Sequence, residues 1–307
     1  MAMLPSRFRV LSHLSETLYG GIYLCEDSRS KVASSQVVLK QIELLQAMKL
    51  LNADDVNARA VDDPRQEKAI ANVLRRTGGH MNVVQYKDDF IQDRMLYFVM
   101  EYCADGDLFD YLSRQERNAV EPMEALAVLA QVSAGLAFLH RENIAHRDLS
   151  LENIMVHRGV CKIGDFGLST RADRTCTERV GKAYYMAPEV VAGMEYDAKA
   201  ADIWSLGMVL FILLTGSPLF PIASVGEKAF IGFTRAGVRA VFESWGVAST
   251  LSIELIDLLT SLLHIDPSKR ISIDQVVVHR AFTSWTPYVS TQGADDGLSV
   301  AVDSEMV

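Results

Sequence analysis

Cysteine is scarce in this sequence, and acidic residues outnumber basic ones. Four cysteines occur among 307 residues, and no two of them form a Cys-x-x-Cys pair, which excludes a disulfide-rich scaffold and the common zinc motifs. Lys and Arg total 30 against 39 Asp and Glu, a formal net charge of -9. Nucleic-acid binding needs a basic surplus. We therefore expect no nucleic-acid partner and a reduced protein inside the cell, in the cytoplasm or the nucleus.

Long hydrophobic runs are also missing. The longest apolar run covers residues 208–214, far fewer than the roughly 20 residues that cross a bilayer, and we interpret it as part of a buried helix. Residues 1–10 carry charges and Pro5 and lack the apolar core of a signal peptide. We therefore expect no membrane segment. The apolar content of 49% is enough for a large core in one or two lobes.

Hydrophobic periodicity divides the chain into a strand-rich first part and a helix-rich second part. Alternating apolar and polar residues, with a turn signal at Gly20-Gly21, predict strands within 8–40. Two further strands are predicted at 83–90 and 95–100. Helical spacing of apolar residues predicts helices at 65–77, 108–114 and 122–140. The polar segment 41–64 is longer than an ordinary connection, so it predicts an insertion.

This order of elements is typical of an α+β fold with two lobes. The acidic end of the chain has the composition of a disordered tail. The predicted organisation is a small lobe at 1–100, a hinge at 101–104, a larger, mostly helical lobe at 105–285 and a disordered tail at 286–307.

Three motifs carry the chemistry, in the order HRDLSLEN at 146–153, DFG at 165–167 and APE at 187–189. They supply a carboxylate that can orient a hydroxyl and oxygen ligands that suit Mg²⁺. With these motifs the chain resembles the eukaryotic protein kinases of Ser/Thr type over about residues 8–285. It is somewhat similar to the calcium/calmodulin-dependent and energy-sensing group. The resemblance implies an antiparallel sheet with one main helix in the small lobe.

The resemblance assigns catalytic roles to individual residues and implies ATP and Mg²⁺ as cofactors. Asp148 would be the base, and Asn153 and Asp165 would hold Mg²⁺. Lys40 would bind the α- and β-phosphates, and Glu67 on the predicted helix would pair with Lys40. The structural residues that the family implies are Asp202 under the catalytic loop, the Glu189–Arg270 pair, and an apolar column of Ala71, Tyr86, His146 and Phe166.

The phosphate loop departs from the family pattern Gly-x-Gly-x-x-Gly, because only its third glycine, Gly20, remains. Side chains at Ser15 and Thr17 restrict the approach of backbone to phosphate, although Lys40 and Mg²⁺ would still supply most of the charge compensation. The nucleotide-binding residues implied by the resemblance are Ser15, Thr17, Gly20, Ile22, Val38, Lys40, Met100, Glu101, Cys103, Asp107, Met155 and Asp165.

A second departure involves two positions that contact each other in the family. Most Ser/Thr kinases have Lys two residues after the catalytic Asp and Thr after the Gly that precedes APE. Here these positions are Ser150 and Lys182. We hypothesise an exchange in which Lys182 reaches back to the γ-phosphate and Asp148, while Ser150 replaces the Thr hydroxyl. The alternative is that Ser150 is a plain loss and Lys182 points to solvent.

The resemblance implies a protein substrate phosphorylated on Ser or Thr. Asp107 and Glu152 match acidic positions that accept an Arg three residues before the target in basophilic relatives. Glu178 stands where the family often has its activating phosphorylation site, so we hypothesise that it substitutes for phosphate opposite Arg147. A solvated surface Glu is the alternative, and Thr175 and Thr177 remain candidate phosphorylation sites.

Two other function classes remain as alternatives. One is a pseudokinase scaffold with weak nucleotide binding, favoured by the altered phosphate loop and Ser150. The other is a small-molecule kinase, which the APE motif and Arg270 disfavour because they organise a protein-substrate groove in the family. The sequence contains no signal for oligomeric state.

Overall fold

The computed structural model describes residues 6–29, 36–51 and 62–283. The predicted α+β architecture with two lobes is confirmed: a five-stranded antiparallel sheet and its helices form the small lobe, and a mostly helical large lobe follows. The predicted tail at 286–307 lies outside the described residues. The strands are β1 (Phe8–Thr17), β2 (Gly20–Asp27), β3 (Gln36–Glu43), β4 (Tyr86–Gln92), β5 (Met95–Glu101), β6 (Ile144–Ala145), β7 (Ile154–His157), β8 (Val160–Ile163) and β9 (Thr170–Arg171).

The helices follow in chain order, and short 3-10 turns lie at Leu151–Asn153, Ala248–Thr250 and Pro267–Lys269. The α-helices are α1 (Leu44–Leu51), α2 (Pro64–Thr77), α3 (Leu108–Ser113), α4 (Pro122–Arg141), α5 (Pro188–Val191), α6 (Ala198–Thr215), α7 (Lys228–Ser244), α8 (Ile253–Leu262), α9 (Ile273–Val277) and α10 (Arg280–Thr283).

The small-lobe sheet has the strand order β1-β2-β3-β5-β4, and every adjacent pair is antiparallel. Strands β3 and β5 are largely buried on both faces. Strand β5 is a near-continuous apolar run in the sequence, whereas β3 also buries the polar residues Lys40 and Gln41. One face packs in a small separate core with Leu39, Tyr97 and Val99. The other face, with Ile42 and Phe98, joins the main core of the molecule. The site residues of β3 and β5 are therefore fixed between two packed layers.

Helix α2 has sequence signals at both ends. Asp63 caps its N-terminus by accepting a hydrogen bond from the backbone N–H of Arg65, and Pro64 takes the first helical position. Gly78 ends the helix in the left-handed conformation, with φ of 84°. Ile70 and Leu74 lie buried on the same face as Glu67. This face turns Glu67 towards the sheet.

The core of the large lobe is built on α4 and α6. By length and composition both helices could cross a membrane, but most of each is buried within the lobe. Their apolar character is therefore explained by packing. Residues 208–213 of α6 are all buried, which confirms the predicted buried helix at this run.

Two element predictions need correction. The segment 41–64 is not simply an insertion, because residues 41–43 continue β3 and α1 follows at once. Leu44 and Ala47 pack against the main core, and this contact anchors α1. The strand predicted at 83–90 begins only at Tyr86, because Val83 pairs instead with Ile163 of the large lobe.

Candidate active site between the lobes

A cavity of about 430 Å³ lies between the two lobes. It brings together ten of the twelve residues that were predicted to bind nucleotide. Thr17 and Gly20 do not line it. The lining residues are Leu14, Ser15, Ile22, Val38, Lys40, Val84, Tyr86, Met100, Glu101, Tyr102, Cys103, Ala104, Gly106, Asp107, Asp110, Glu152, Asn153, Met155, Gly164 and Asp165.

The phosphate loop is a tight hairpin whose tip packs into the small lobe. Thr17 pairs with Gly20 across the turn. Tyr19 is only 3% exposed, and its hydroxyl donates to the backbone oxygen of Asp62 at 3.0 Å. A Cβ at Gly20 would lie 2.3 Å from the backbone oxygen of Gln41, so glycine is needed for this approach. Burial of Tyr19 thus explains why Thr17 and Gly20 stay outside the cavity.

Lys40 links the small lobe to the DFG motif. Its ammonium donates to both carboxylate oxygens of Glu67 at 3.0 Å and to Asp165 Oδ1 at 2.9 Å. Burial alone would lower the pKa of Lys40, but the carboxylates of Asp165 and Glu67 raise it above its ordinary value. The same ammonium lowers the pKa of Asp165 to about 2. Lys40 and Asp165 therefore both stay charged at neutral pH.

The apolar column that joins the lobes is assembled beside this ion pair. The Phe166 ring lies between His146 and Tyr86, with ring centroids 5.3 and 5.9 Å apart. Ala71 of α2 is fully buried in the same core. In addition, the hydroxyl of Tyr86 donates to Glu67 Oε1 at 2.8 Å.

Asp202 of α6 holds the backbone of the catalytic loop. Its carboxylate accepts the backbone N–H of His146 at 2.8 Å and that of Arg147 at 2.7 Å. Arg147 has a φ of 64°, a left-handed conformation that is strained for a residue with a side chain. The two hydrogen bonds hold this turn and so fix the residue that follows it, Asp148.

Asp148 is oriented by Asn153. The Asn153 amide Nδ2 donates to the backbone oxygen of Asp148 at 2.8 Å and to its Oδ2 at 2.7 Å. Burial raises the pKa of Asp148 above its usual value, while the nearby Lys182 ammonium works in the opposite direction. A carboxylate of this kind can accept a proton from a bound hydroxyl.

Lys182 and Ser150 meet at this carboxylate. The Lys182 ammonium donates to Ser150 Oγ at 2.7 Å and lies 3.9 Å from Asp148 Oδ2. The backbone N–H of Lys182 donates to Asp148 Oδ1 at 3.1 Å. Gly181 makes this approach possible, because a Cβ there would lie 2.8 Å from the backbone oxygen of Arg147. The structure therefore brings Ser150 and Lys182, the two positions of the hypothesised exchange, together, with the ammonium near the Asp148 carboxylate.

The residues present fit a magnesium site that is completed by phosphate. Both amide hydrogen bonds of Asn153 to Asp148 use Nδ2, so Oδ1, which also accepts from the Lys182 ammonium at 3.4 Å, is the oxygen that a cation could take. Lys40 and the Gly167 N–H both bind Oδ1 of Asp165, so Oδ2 is the oxygen that a metal could take. Within the described residues, no group of three or more His, Cys, Asp and Glu could hold a metal alone. Mg²⁺ readily takes its remaining ligands from phosphate and water.

The segment after the DFG motif is anchored at two points. Arg147 donates to Glu178 Oε2 at 3.2 Å, and its side chain is 8% exposed while that of Glu178 is 51% exposed. Partial burial opposes ionisation of Glu178, but backbone N–H groups and Arg147 prevail and lower its pKa. Further on, buried Arg270 binds the two oxygens of Glu189 at 2.7 and 3.1 Å.

The two acidic residues predicted to bind a substrate arginine both line the cavity. Asp107 Oδ1 caps α3 by accepting the backbone N–H of Asp110 at 2.8 Å. Burial raises the pKa of Asp107, and the charges of Asp110 and Glu152 add to this effect. Glu152 Oε2 lies 3.5 Å from the Lys182 ammonium.

The sequence did not identify several residues of the site. Leu14 lines the cavity together with its neighbour Ser15 because the β1–β2 pairing shifts register between His13 and Ser15. Such a bulge breaks the alternation on which strand prediction depends. Asp62 lies against Gly167, where a Cβ would come within 2.7 Å of its Cγ. Burial raises the pKa of Asp62, and the charge of Lys40 lowers it. No local signal marks Asp62.

Comparison with known proteins gives the family. The protein kinase domain family matches residues 28–282. The chain is 32% identical over 294 residues to the serine/threonine-protein kinase PLK4 of Drosophila grimshawi, covering 93% of this chain and 36% of that protein. It is 33% identical over 205 residues to the human SNF-related serine/threonine-protein kinase, covering 65% of this chain and 26% of the relative.

It is also 30% identical over 289 residues to the serine/threonine-protein kinase SAPK3 of Oryza sativa subsp. indica, covering 92% of this chain and 80% of that protein. The chain spans about a third or less of the length of the first curated relatives that it matches. The SNF-related and SAPK3 relatives are consistent with the resemblance of the sequence to the calcium/calmodulin-dependent and energy-sensing group. The chain belongs to the protein kinase domain family, in its serine/threonine class.

Proposed function

We propose that this protein transfers the γ-phosphate of ATP to a serine or threonine hydroxyl of a protein substrate. The observation that carries the proposal is the contact of the Lys40 ammonium with both Glu67 and Asp165, at 3.0 and 2.9 Å. Phosphoryl transfer depends mainly on positioning and on stabilising the charge of the phosphates. An assembled Lys–Glu–Asp contact supports that task, because it puts a charged ammonium at the phosphate end of the cleft.

The proposed roles follow from the hydrogen bonds. Asp148 accepts the proton of the substrate hydroxyl as the new O–P bond forms and ADP leaves. Asn153 keeps Asp148 in place through its amide, and Asn153 and Asp165 would hold Mg²⁺. When bound, Mg²⁺ supplies charge neutralisation at the phosphates. Lys40 orients the phosphates, and Glu67 orients Lys40.

Lys182 and Ser150 are proposed to act as an exchanged pair. The ammonium of Lys182 lies 2.7 Å from Ser150 Oγ and 3.4 Å from Asn153 Oδ1, so it stands beside both the base and a proposed metal ligand. A cation here would balance charge on the transferred phosphate. Ser150, which is fully buried, would keep the ammonium in this position.

The proposed substrate is a Ser/Thr protein segment with an Arg three residues before the target. Glu152 and Asp107, which line the cleft, support this preference by their charge. Because Lys182 lies near Glu152, the preference should be weaker than two free carboxylates would give. Matched peptides with Arg or Ala at that position measure it directly, and a free hydroxyl metabolite in competition tests the small-molecule alternative.

We also propose that Glu178 takes the place of an activating phosphate. Its contact with Arg147 supports this role, because Arg147 directly precedes the proposed base. One carboxylate charge is weaker than the charge of roughly −1.5 to −2 on a phosphate. Phosphorylation at Thr175 or Thr177 would then add to a basal activity rather than create it.

A pseudokinase scaffold is the second candidate. Its supporting observation is the phosphate loop, whose tip is tied to the small lobe through Tyr19 rather than left free over the cleft. The discriminating experiment measures Mg-ATP binding and labelled phosphate transfer on the same protein, with Asp148→Asn beside it. Binding with no transfer, even after treatment with an activating kinase, supports the scaffold. Transfer that disappears in Asp148→Asn supports the kinase.

A further inference from the structure

The hydroxyl of Tyr86, at the start of β4, reaches the glutamate that orients Lys40. Tyr86 OH donates to Glu67 Oε1 at 2.8 Å. Tyr86 is 2% exposed and Glu67 is fully buried. Burial raises the pKa of Tyr86 well above its usual value, so the hydroxyl keeps its proton. This is a charge-assisted hydrogen bond out of contact with water, the kind that contributes most.

The aromatic ring of Tyr86 fixes the direction of this hydroxyl. Its ring lies edge-on to Phe98, with centroids 5.6 Å apart, and edge-on to Phe166 at 5.9 Å. Phe166 belongs to the DFG motif, and Phe98 lies on β5. These ring contacts come from elements other than α2, so they fix the direction of the Tyr86 hydroxyl independently of that helix.

Glu67 needs this second donor because its first donor is shared. The Lys40 ammonium has three N–H groups, and they are all engaged by the two oxygens of Glu67 and by Asp165 Oδ1. Nucleotide phosphates can bind Lys40 only by taking over part of these contacts. A buried carboxylate that loses its partner is strongly destabilised. Tyr86 keeps one hydrogen bond on Glu67 throughout such an exchange.

We propose that Tyr86 is a positioning residue that holds Glu67, and with it α2, in place while nucleotide phosphates compete for Lys40. The inference rests on the proposed kinase function for its purpose, although the contact itself is independent of catalysis. It assigns the hydroxyl a role beyond filling the apolar column, because the ring alone would fill the column equally well. Tyr86→Phe separates the two roles, since it keeps the ring and removes only the hydroxyl.

Tyr97 provides a matched control. It is 1% exposed on the neighbouring strand, and its hydroxyl accepts a hydrogen bond from the neutral amide of Gln41 at 3.1 Å. It lies in the separate small core on the other face of the sheet. Tyr97→Phe therefore removes a buried tyrosine hydroxyl from the same sheet without touching Glu67, Lys40 or the cleft.

Two measurements on the purified chain test the proposal. Titration calorimetry gives the Kd for Mg-ATP, and amide hydrogen exchange without nucleotide reports the opening of α2. Tyr86→Phe should raise the Kd by roughly threefold to tenfold, since the binding-competent population falls. It should also speed exchange across α2 by about fivefold or more. In Tyr97→Phe both quantities should stay within about twofold of the wild type.

Combining Tyr86→Phe with Glu67→Gln tests whether the Tyr86 hydroxyl acts through the charge of Glu67. In Glu67→Gln the charge that Tyr86 stabilises is gone, so adding Tyr86→Phe should change the Kd and the α2 exchange by less than about twofold. Full additivity, or a Tyr86→Phe protein indistinguishable from Tyr97→Phe in α2 exchange, would overturn the proposal. If the wild type binds Mg-ATP and transfers no phosphate, the kinase function fails, while the exchange and coupling results still decide the role of Tyr86.

Discussion

The Lys182 ammonium lies 2.7 Å from the hydroxyl of Ser150, across 32 residues of sequence, and 3.9 Å from the carboxylate of Asp148. In most Ser/Thr kinases the cation is expected two residues after the base, on the catalytic loop itself. Here it comes from the segment before the APE motif. In the proposed exchange, the charge near Asp148 is therefore retained while its position in the sequence changes.

The exchange predicts rescue in a double variant. Lys182→Thr should lower kcat by about 100-fold, since it removes the cation that the proposed exchange places beside the transferred phosphate. Ser150→Lys alone should also lower kcat, because it puts two ammonium groups in one small space. The double variant Ser150→Lys with Lys182→Thr should recover to within about tenfold of wild type. Initial rates with Mg-ATP and a Ser/Thr peptide measure all four proteins, and additive losses without recovery would refute the exchange.

The pH dependence of activity should report the same contact. The Lys182 cation lowers the pKa of Asp148, which burial otherwise raises. Replacing Lys182 with Met removes the charge and raises the pKa of Asp148 further. Transfer needs an ionised Asp148, so activity should be lost at a higher pH as the solution is acidified. The pH profile of kcat/KM measures this shift.

Lys228→Met is the control for that profile, because Lys228 stands at the start of α7, away from the cleft. The acid limb of the kcat/KM profile of Lys228→Met should coincide with that of the wild type. An unshifted limb in Lys182→Met would mean that the ammonium does not influence the base.

The Arg147–Glu178 contact predicts basal activity without phosphorylation. Glu178→Ala should lower the rate of phosphate-free protein by roughly threefold, a modest loss because the Glu178 carboxylate is half-exposed and screened by solvent. Phosphatase-treated protein, checked by mass spectrometry, is the material to assay. Glu116→Ala, at an exposed position after α3, is the charge-matched control. Equal rates for the two variants would leave Glu178 as an ordinary surface residue.

Asp62 packs so closely on Gly167 that a side chain at position 167 should clash with it, and removing the Asp62 side chain should relieve the clash. Gly167→Ala places a Cβ 2.7 Å from Asp62 Cγ, and overpacking of this kind costs about 1–3 kcal/mol. It should also disturb the hydrogen bond from the Asp63 N–H to the Gly167 oxygen, at 3.1 Å. Thermal melting and peptide phosphorylation should both decline. Adding Asp62→Gly should restore the melting temperature, whereas no restoration would place the strain elsewhere.

Much of this site could be predicted because its signals are local. The motifs at 146–153 and 165–167 identify the catalytic loop and the DFG segment, and the helical spacing of apolar residues at 65–77 predicts the helix that carries Glu67. A single helical face is the kind of pattern that short sequence windows contain.

The contacts that could not be predicted from the sequence join residues that are far apart in the chain. Tyr19 and Asp62 are 43 residues apart and meet only because the phosphate-loop tip is buried. Tyr86 was predicted as part of an apolar column, and nothing local indicated that its hydroxyl would reach Glu67, 19 residues earlier. Helix α1 was missed because its apolar face falls in a segment that otherwise looked polar. Tertiary packing decides each of these cases.

The most direct test of the account is transfer of labelled γ-phosphate from Mg-ATP to a basic Ser/Thr peptide, measured side by side for the wild type and Asp148→Asn. The account predicts incorporation on Ser or Thr by the wild type and loss of about 1,000-fold or more in the variant, which keeps the shape of the side chain but lacks the base. Incorporation that persists in Asp148→Asn, or no incorporation by a wild type that binds Mg-ATP, would contradict it.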